Sequence, residues 1–267
     1  MSVRATLKAY PTLLRIGLAE AVAYRAELFV WVLATTMPLI SLALWHAVAL
    51  EAPVGRFSAN SFTAYFLMTF IVRQLTGTWI AWQMNFEVRQ GTLSQRLLRP
   101  IHPLMGYGAG VLAALPMRVV VSVPIAAILL ATAARSSLTH TPTMWMAFAM
   151  ALIGGWLITY LINVMIGTLA LFIESSVKVM DVYLAMFFVF AGYTIPVELF
   201  PEWLRAANDW LPFRYQIGLP VELATDGHSP SQALRMLAQQ WAYVGGLALA
   251  AHWLWHKGLR RFEAYGG

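Results

Sequence analysis

Cysteine is absent from the 267-residue chain, which excludes disulfide frameworks, thiolate metal sites, cysteine nucleophiles and S-acylation together. It says nothing about compartment, since a chain without thiols tolerates either redox state. Charge is scarce too, at 11% of residues, against about 25% in a soluble domain. The only lysines, Lys8, Lys178 and Lys257, follow Leu, Val and His. A phosphate-binding loop needs glycine ahead of its lysine so that backbone amides and the ammonium converge on phosphate. No nucleotide site of that class exists here, and the sequence implies neither an enzyme nor a cofactor bound to this chain. The twelve acids are scattered singly among loops and apolar-run ends, so no catalytic pair or metal cluster stands out.

What the chain has is apolar surface: 60% of residues and a mean hydropathy of +0.65, against about 45–50% in soluble domains. A water-soluble globule of this size cannot hide that surface, which excludes a cytosolic enzyme, a secreted domain and a disordered chain. The net charge of +6 would suggest nucleic acid in a soluble protein. Here the basic residues flank apolar runs, so membrane lipid with an anionic cytoplasmic leaflet is the expected partner, and nucleic acid is not.

A helix crossing a hydrocarbon core needs roughly 20 mostly apolar residues. Such runs occur at Leu28–Leu50, Phe62–Met84, Val111–Ala134, Met144–Phe172, Val179–Ile195 and Leu234–Trp255. The expected fold is therefore an all-α membrane protein with six transmembrane helices in one domain, 28–267. The motif Ala47-Val48-Ala49 resembles a leader cleavage site, but the run before it exceeds the usual 7–15 residues and contains Pro38, so it reads as a retained helix. Six spans put both termini on one side, with eleven basic residues against five on the other, so both are expected in the cytoplasm. Residues 1–27 read as a cytoplasmic interfacial helix, with a stripe of Leu7, Leu14, Leu18 and Val22 interrupted early by Pro11; an ordinary charged leader is the alternative.

Two connecting segments carry more. After the second run comes Phe86-Glu87-Val88-Arg89-Gln90-Gly91-Thr92-Leu93-Ser94-Gln95-Arg96-Leu97-Leu98-Arg99-Pro100. Gly91 suits a turn, Thr92 or Ser94 can cap a helix, Leu93, Leu97 and Leu98 fall on one face, and Pro100 ends it. The result is a short cytoplasmic helix, 91–100, suited to docking a partner; a connector resting on headgroups is the other reading. Between the fifth and sixth runs lies a segment, 196–227, too apolar for a free loop and too charged for a span. Short helices dipping into the outer leaflet satisfy both constraints, as a re-entrant gate or as a simple cap.

These motifs make the chain recognisable. The Glu87…Gly91-Thr92-Leu93…Leu97-Leu98-Arg99-Pro100 pattern resembles the coupling-helix region of type-2 ATP-binding-cassette (ABC) exporter permeases. The pattern Gly192…Ile195-Pro196…Leu199-Phe200-Pro201-Glu202-Trp203-Leu204…Leu211-Pro212-Phe213…Pro220…Gly227 is similar to the external re-entrant segment of that family. The closest subgroup is that of paired six-span permeases served by a separate ATPase. The resemblance implies a permease subunit in the plasma membrane, or the inner membrane of a Gram-negative bacterium. Its implied partners are a cytoplasmic ABC ATPase in two copies, which carries the ATP and Mg, and a second permease, identical or sibling. It also implies ATPase-coupling roles for Glu87, Arg89, Gly91, Thr92, Leu93, Arg96, Leu97 and Arg99. An external gate would hold Pro196, Phe200, Pro201, Trp203, Pro212 and Phe213. Kinship of this kind selects no substrate.

Within the apolar runs, Arg73 and Arg118 are conspicuous, since a guanidinium at mid-bilayer costs about 2.5–3.5 kcal/mol on insertion scales and usually faces a bundle interior or cavity. Arg73 reads as mid-depth, and Arg118 as closer to the cytoplasmic end of its run. With Asn163 they are candidates for a substrate path; pairing with carbonyls, end carboxylates or a neighbouring subunit is the structural alternative, and Asn163 is expected to bond across helices. Gly106 and Gly110 permit close helix contact or a hinge, and Pro116 and Pro124 predict kinks. His252 and His256 have metal-ligand spacing but no third ligand, so no metal is expected. The outer acids weakly favour cationic cargo and the buried arginines anionic cargo, leaving the substrate open. An ion-gradient-driven transporter is the competing function, but no internal repeat or midplane acid supports it.

Overall fold

A computed structural model describes residues 3–225 and 228–262, with only the backbone at residues 3–6, 25, 27–29 and 31. Asp226 and Gly227, which close the outer-segment pattern, lie outside the described residues, as do the side chains of Arg4, Arg25 and Glu27. Among the described residues the fold is helical, its only β feature an isolated bridge between Val54 and Phe57.

The first apolar run forms two helices, α1 having preceded it: α1 spans Val3–Ala23, α2 Arg25–Ala34 and α3 Met37–Glu51. The join falls at Thr35-Thr36, just ahead of Pro38, which cannot continue the ladder. The hydroxyls of Thr35 and Thr36 donate to the carbonyls of Val32 and Leu33 at 2.8 and 2.9 Å. The second run is also divided, into α4 (Ala59–Thr76) and α5 (Ile80–Arg89), with Gly77, Thr78 and Trp79 between them. A single helix over 62–84, as the apolar run suggests, is not what forms, because Gly77 takes an extended backbone. The short α6 (Leu93–Leu97) follows.

The third run begins earlier than apolarity alone indicates. It comprises α7 (Pro103–Ala113) and α8 (Leu115–Ala131), joined at Ala114, two residues before Pro116. Pro116 thus breaks the helix, while Pro124 is absorbed within α8. Next come α9 (Pro142–Leu169), α10 (Val177–Phe190), α11 (Glu202–Asn208), α12 (Gly218–Ala224) and α13 (Pro230–Leu259). A reciprocal capping box starts α13, Ser229 accepting from the Gln232 amide and the Gln232 side chain from that of Ser229.

Three helical stretches are by themselves long and apolar enough to cross a membrane: Val32–Glu51, Pro103–Ala131 and Pro142–Leu169. The others fall short for identifiable reasons. Gly77 divides the second run, α10 has 14 residues, and α13 carries Gln239, Gln240, His252, His256 and Lys257 among its apolar residues.

The core is built on α4, whose Phe62, Ala64, Tyr65 and Phe66 are fully buried, as befits a helix surrounded on all sides. Phe57, Phe62 and Phe66 stack at 4.9 and 6.1 Å. Around it, α3 and α8 pack on α4, and α13 and α5 pack on α9. The small stripe on α7 is a contact surface for α1, for a Cβ on Gly17 would lie 2.7 Å from Ala113 Cβ and 3.6 Å from Gly110 Cα. Pro11 does not interrupt α1. Of the sequence-read stripe, Leu14 is partly buried, whereas Leu7, Leu18 and Val22 stay exposed, free to meet lipid.

Gly17→Val is therefore expected to lift α1 from α7, since crowding a tight helix contact costs about 1–3 kcal/mol. Tryptic cleavage at Arg15 should accelerate at least about fivefold, the fold-change of about 1 kcal/mol. An unchanged digestion rate would show that α1 is held by something other than this contact.

Candidate functional site

Three places gather the chemistry-bearing side chains: the turn between α5 and α7, the segment after α10, and the break within the second run.

At the first, α5 ends on Gln90 and Gly91 turns the chain with φ +71°, a conformation that costs a residue with a Cβ. Neither predicted side-chain cap forms: Thr92 donates to the Glu87 carbonyl at 3.4 Å and Ser94 to that of Gly91 at 2.6 Å. Glu87 is the organiser. Arg96 grips its carboxylate bidentately, Nε lying 2.8 Å from Oε2, and the Tyr107 hydroxyl and Gln83 amide donate to it as well. The Arg96 guanidinium also lies 4.2 Å over the Tyr107 ring. Burial works against that charge, yet the Glu87 contact outweighs it and holds the guanidinium above its ordinary value.

This clamp splits the predicted coupling residues. Leu93 is buried, Leu97 packs against the same apolar cluster, and Arg96 faces Glu87. Arg89 and Arg99 are exposed, and Leu98 is 87% exposed, so it does not share the packed face with Leu93 and Leu97. The outward surface of α6 is thus Gln95, Leu98 and Arg99, with Arg89 beside it donating to the Ile173 carbonyl at 3.4 Å.

The segment after α10 also divides. Pro196 and Phe200 are buried, Pro201 and Trp203 are exposed, Pro212 and Phe213 are half-buried, and the Phe213 ring packs against Tyr183 and Phe190. From Arg214 to Thr225 every residue is buried. Gly155 lets this stretch approach α9, because a Cβ there would stand 2.7 Å from the Gln216 carbonyl oxygen. Gln216 Oε1 accepts from Thr159 and Tyr183 at 3.0 and 2.6 Å, and the Gln240 amide donates to the Tyr215 carbonyl at 2.8 Å.

An ion network that the sequence does not reveal sits here. Arg214 donates to both oxygens of Glu222 at 3.2 and 2.9 Å and to Asp209 at 2.6 Å. His228 Nε2 lies 2.7 Å from Glu222 Oε2, and Arg56 binds both oxygens of Glu198. Burial alone would raise the Glu222 carboxyl, but Arg214 and His228 outweigh it and hold it well below the ordinary range. Glu198, Glu222 and His228 bring ligand atoms within 4.8 Å of one another, yet Arg56 and Arg214 already occupy both carboxylates. His252 and His256 do stack, at 4.1 Å. No group of three metal-ligating side chains among the described residues includes them.

The third place unites all three candidate path residues. Gly77 is left without a helical partner for its carbonyl, and Arg118 Nη1 donates to it. Arg118 lies in the first turn of α8, near the middle of the 29-residue apolar stretch Pro103–Ala131. Arg73, buried, lies 5.0 Å beneath the Phe187 ring. A Cβ built on Gly77 would stand 3.5 Å from Arg73 Nη1 and 3.8 Å from Arg118 Nη1, so both guanidiniums converge on this break. Two like charges brought to one break in this way repel each other. Among the described residues neither arginine reaches a carboxylate within ion-pair distance.

Two adjoining cavities flank Arg73. One of about 50 Å³ is lined by Val32, Thr35, Arg73, Gln74, Gly77, Trp79 and Arg118. The other, about 10 Å³, runs past Thr78 and Thr159 to Asn163 and Tyr183. Asn163 does not bond across helices: its amide donates to Thr159 of its own helix at 2.9 Å, and its buried Oδ1 has no partner. The residues that the sequence singles out one by one thus line two neighbouring cavities that share Arg73 and Trp79.

Compared with known proteins, the chain matches over residues 21–266 the family described as ABC-2 family transporter protein. No curated protein matches it.

Proposed function

The chain belongs to the ABC-2 transporter family, and from that premise we propose that it is the permease subunit of an ATP-driven exporter. Two such subunits, identical or sibling, enclose a path and alternate its access between the two faces of the plasma membrane. Two cytoplasmic ABC ATPases carry ATP and Mg, and both termini of this chain lie on their side. The six crossings are α2–α3, α4–α5, α7–α8, α9, α10 with the turn that follows it, and α13. In the broken second crossing the freed Gly77 carbonyl is satisfied inside the bundle by Arg118. The segment from Arg214 to Thr225 is the re-entrant element at the outer end of the path, with Gln216 joining it to α9 and α10.

The observation that carries this reading is the Glu87 clamp. It fixes a one-turn helix rigidly to α5 and α7 while Arg89, Gln95, Leu98 and Arg99 face outward. A helix this short does not hold itself together in water, so the clamp supplies the stiffness that force transfer needs.

The paired change Leu98→Asp and Arg99→Glu alters only exposed side chains. Capture of the co-expressed ATPase by the tagged chain should fall at least about tenfold, the equivalent of 1.4 kcal/mol, with unchanged thermal stability. Full capture by this variant would overturn the reading, as would proton- or sodium-driven uptake by the chain alone in vesicles.

A further inference from the structure

We propose, building on the permease reading, that the Arg73–Arg118 cavity binds an oxyanion, the phosphate or carboxylate headgroup of an amphiphile. Both guanidiniums point at the Gly77 break from different helices, and the missing Cβ keeps the space between them open. Arg118 spends one donor on the Gly77 carbonyl and Arg73 lies against the Phe187 and Tyr193 rings, which leaves further N–H groups of each fork for a ligand. Guanidinium forks match oxyanions bidentately and keep their charge in apolar surroundings. By the measure in which one water needs about 10–15 Å³, a cavity of about 50 Å³ takes a group of about four heavy atoms.

Two converging guanidiniums without a carboxylate partner among the described residues invite an anion. The apparent counter-indication, the acidic outer segment, is weakened in the structure. Glu198 is committed to Arg56, Glu222 to Arg214 and His228, and Asp209 to Arg214, which among the described acids of that segment leaves Glu202 alone exposed and outside an ion pair. The cavity is only partly enclosed, and two helices that line it, α2 and α8, expose Val30, Leu33, Val119, Val120 and Val123. Apolar surface beside a buried cationic pair suits a headgroup that arrives on an apolar tail.

Native mass spectrometry of the purified full chain tests this, with phosphatidic acid, phosphatidylcholine of the same acyl chains, and inorganic phosphate as probes. Phosphatidic acid should be retained at least about tenfold over phosphatidylcholine, the fold-change of one lost charged contact of about 1.4 kcal/mol, and Arg118→Gln should erase the preference. Gln74→Glu is the second variant, in case the arginine change disturbs folding. Gln74 lines the cavity and donates to Thr35 at 2.8 Å, so an isosteric carboxylate there pairs with the arginines, holds or raises thermal stability, and abolishes retention. Competition by phosphate supports headgroup reading, and phosphate retained without lipid supports the oxyanion site with a soluble source. Equal retention of phosphatidic acid by the wild type and Gln74→Glu overturns the proposal, as does the absence of any preference for either anion. ATPase capture is independent of these readouts. A chain that captures the ATPase but prefers no oxyanion defeats this proposal alone, and one that binds the oxyanion but never the ATPase defeats the permease reading alone.

Discussion

Arg96→Glu is expected to abolish stimulation of the partner ATPase, and the reciprocal exchange Glu87→Arg with Arg96→Glu to restore most of it. The single change sets two carboxylates against each other where a bidentate pair stands, with 24% and 12% of the side chains exposed. Leaving one member of a buried pair uncompensated costs about 3–5 kcal/mol, and partial solvent access at this site lowers that to about 2–3. The cation–π contact with Tyr107 is lost as well, another 0.5–1 kcal/mol or so.

Those losses fall on an element with little resistance of its own. The five residues of α6 make barely more than one turn, and nucleating a single turn is unfavourable without tertiary support. Without the clamp Leu93 and Leu97 leave their apolar cluster and the helix cannot transmit a push from either side. The measurement is ATP turnover by the co-purified complex at saturating ATP. A Lys in place of Arg96 keeps the charge but loses the fork, so it should fall between the wild type and the reversal. Wild-type stimulation in Arg96→Glu would place force transfer elsewhere than α6.

Local chemistry was readable in the sequence wherever it was sequential. Gly91 and Pro100 bracket a short helix because backbone conformation is a property of neighbours in the chain. The break at Gly77 was harder to see, since Gly-Thr-Trp within an apolar run carries the same hydropathy signal whether or not the helix is continuous. The third run starts earlier than its apolarity shows because Gly106, Gly108 and Gly110 add little hydropathy, yet Gly108 sits against Tyr160 and Gly110 against Gly17 of α1, contacts that periodicity cannot register. The Arg214–Glu222–His228 network was not readable at all. Its acids look solitary because Glu198 and Arg56 are 142 residues apart, and only folding brings them beside Glu222.

That network yields the largest expected effect on stability. Arg214→Met leaves Glu222, 1% exposed, a buried carboxylate with only His228 beside it, a loss of about 3–5 kcal/mol. For a chain of this size 1 kcal/mol moves the midpoint by about 2–4 °C, so thermal unfolding in detergent should shift downward by about 6–20 °C. Adding Glu222→Leu removes the orphaned charge, and an apolar pair of similar volume should recover most of the loss. The same logic fixes the pH dependence. Because the folded carboxyl of Glu222 titrates below its ordinary value near 4.5, its contribution is fully present above that value and is lost as pH falls beneath it. The wild type should therefore lose stability between about pH 4.5 and 2 more steeply than the double variant, the interval in which an unfolded carboxyl binds a proton and the folded one, held down to about 2, resists it. Parallel acid profiles for the two proteins would mean that Arg214 does not stabilise the ionised form of Glu222, and that the outer segment is held by its apolar contacts alone.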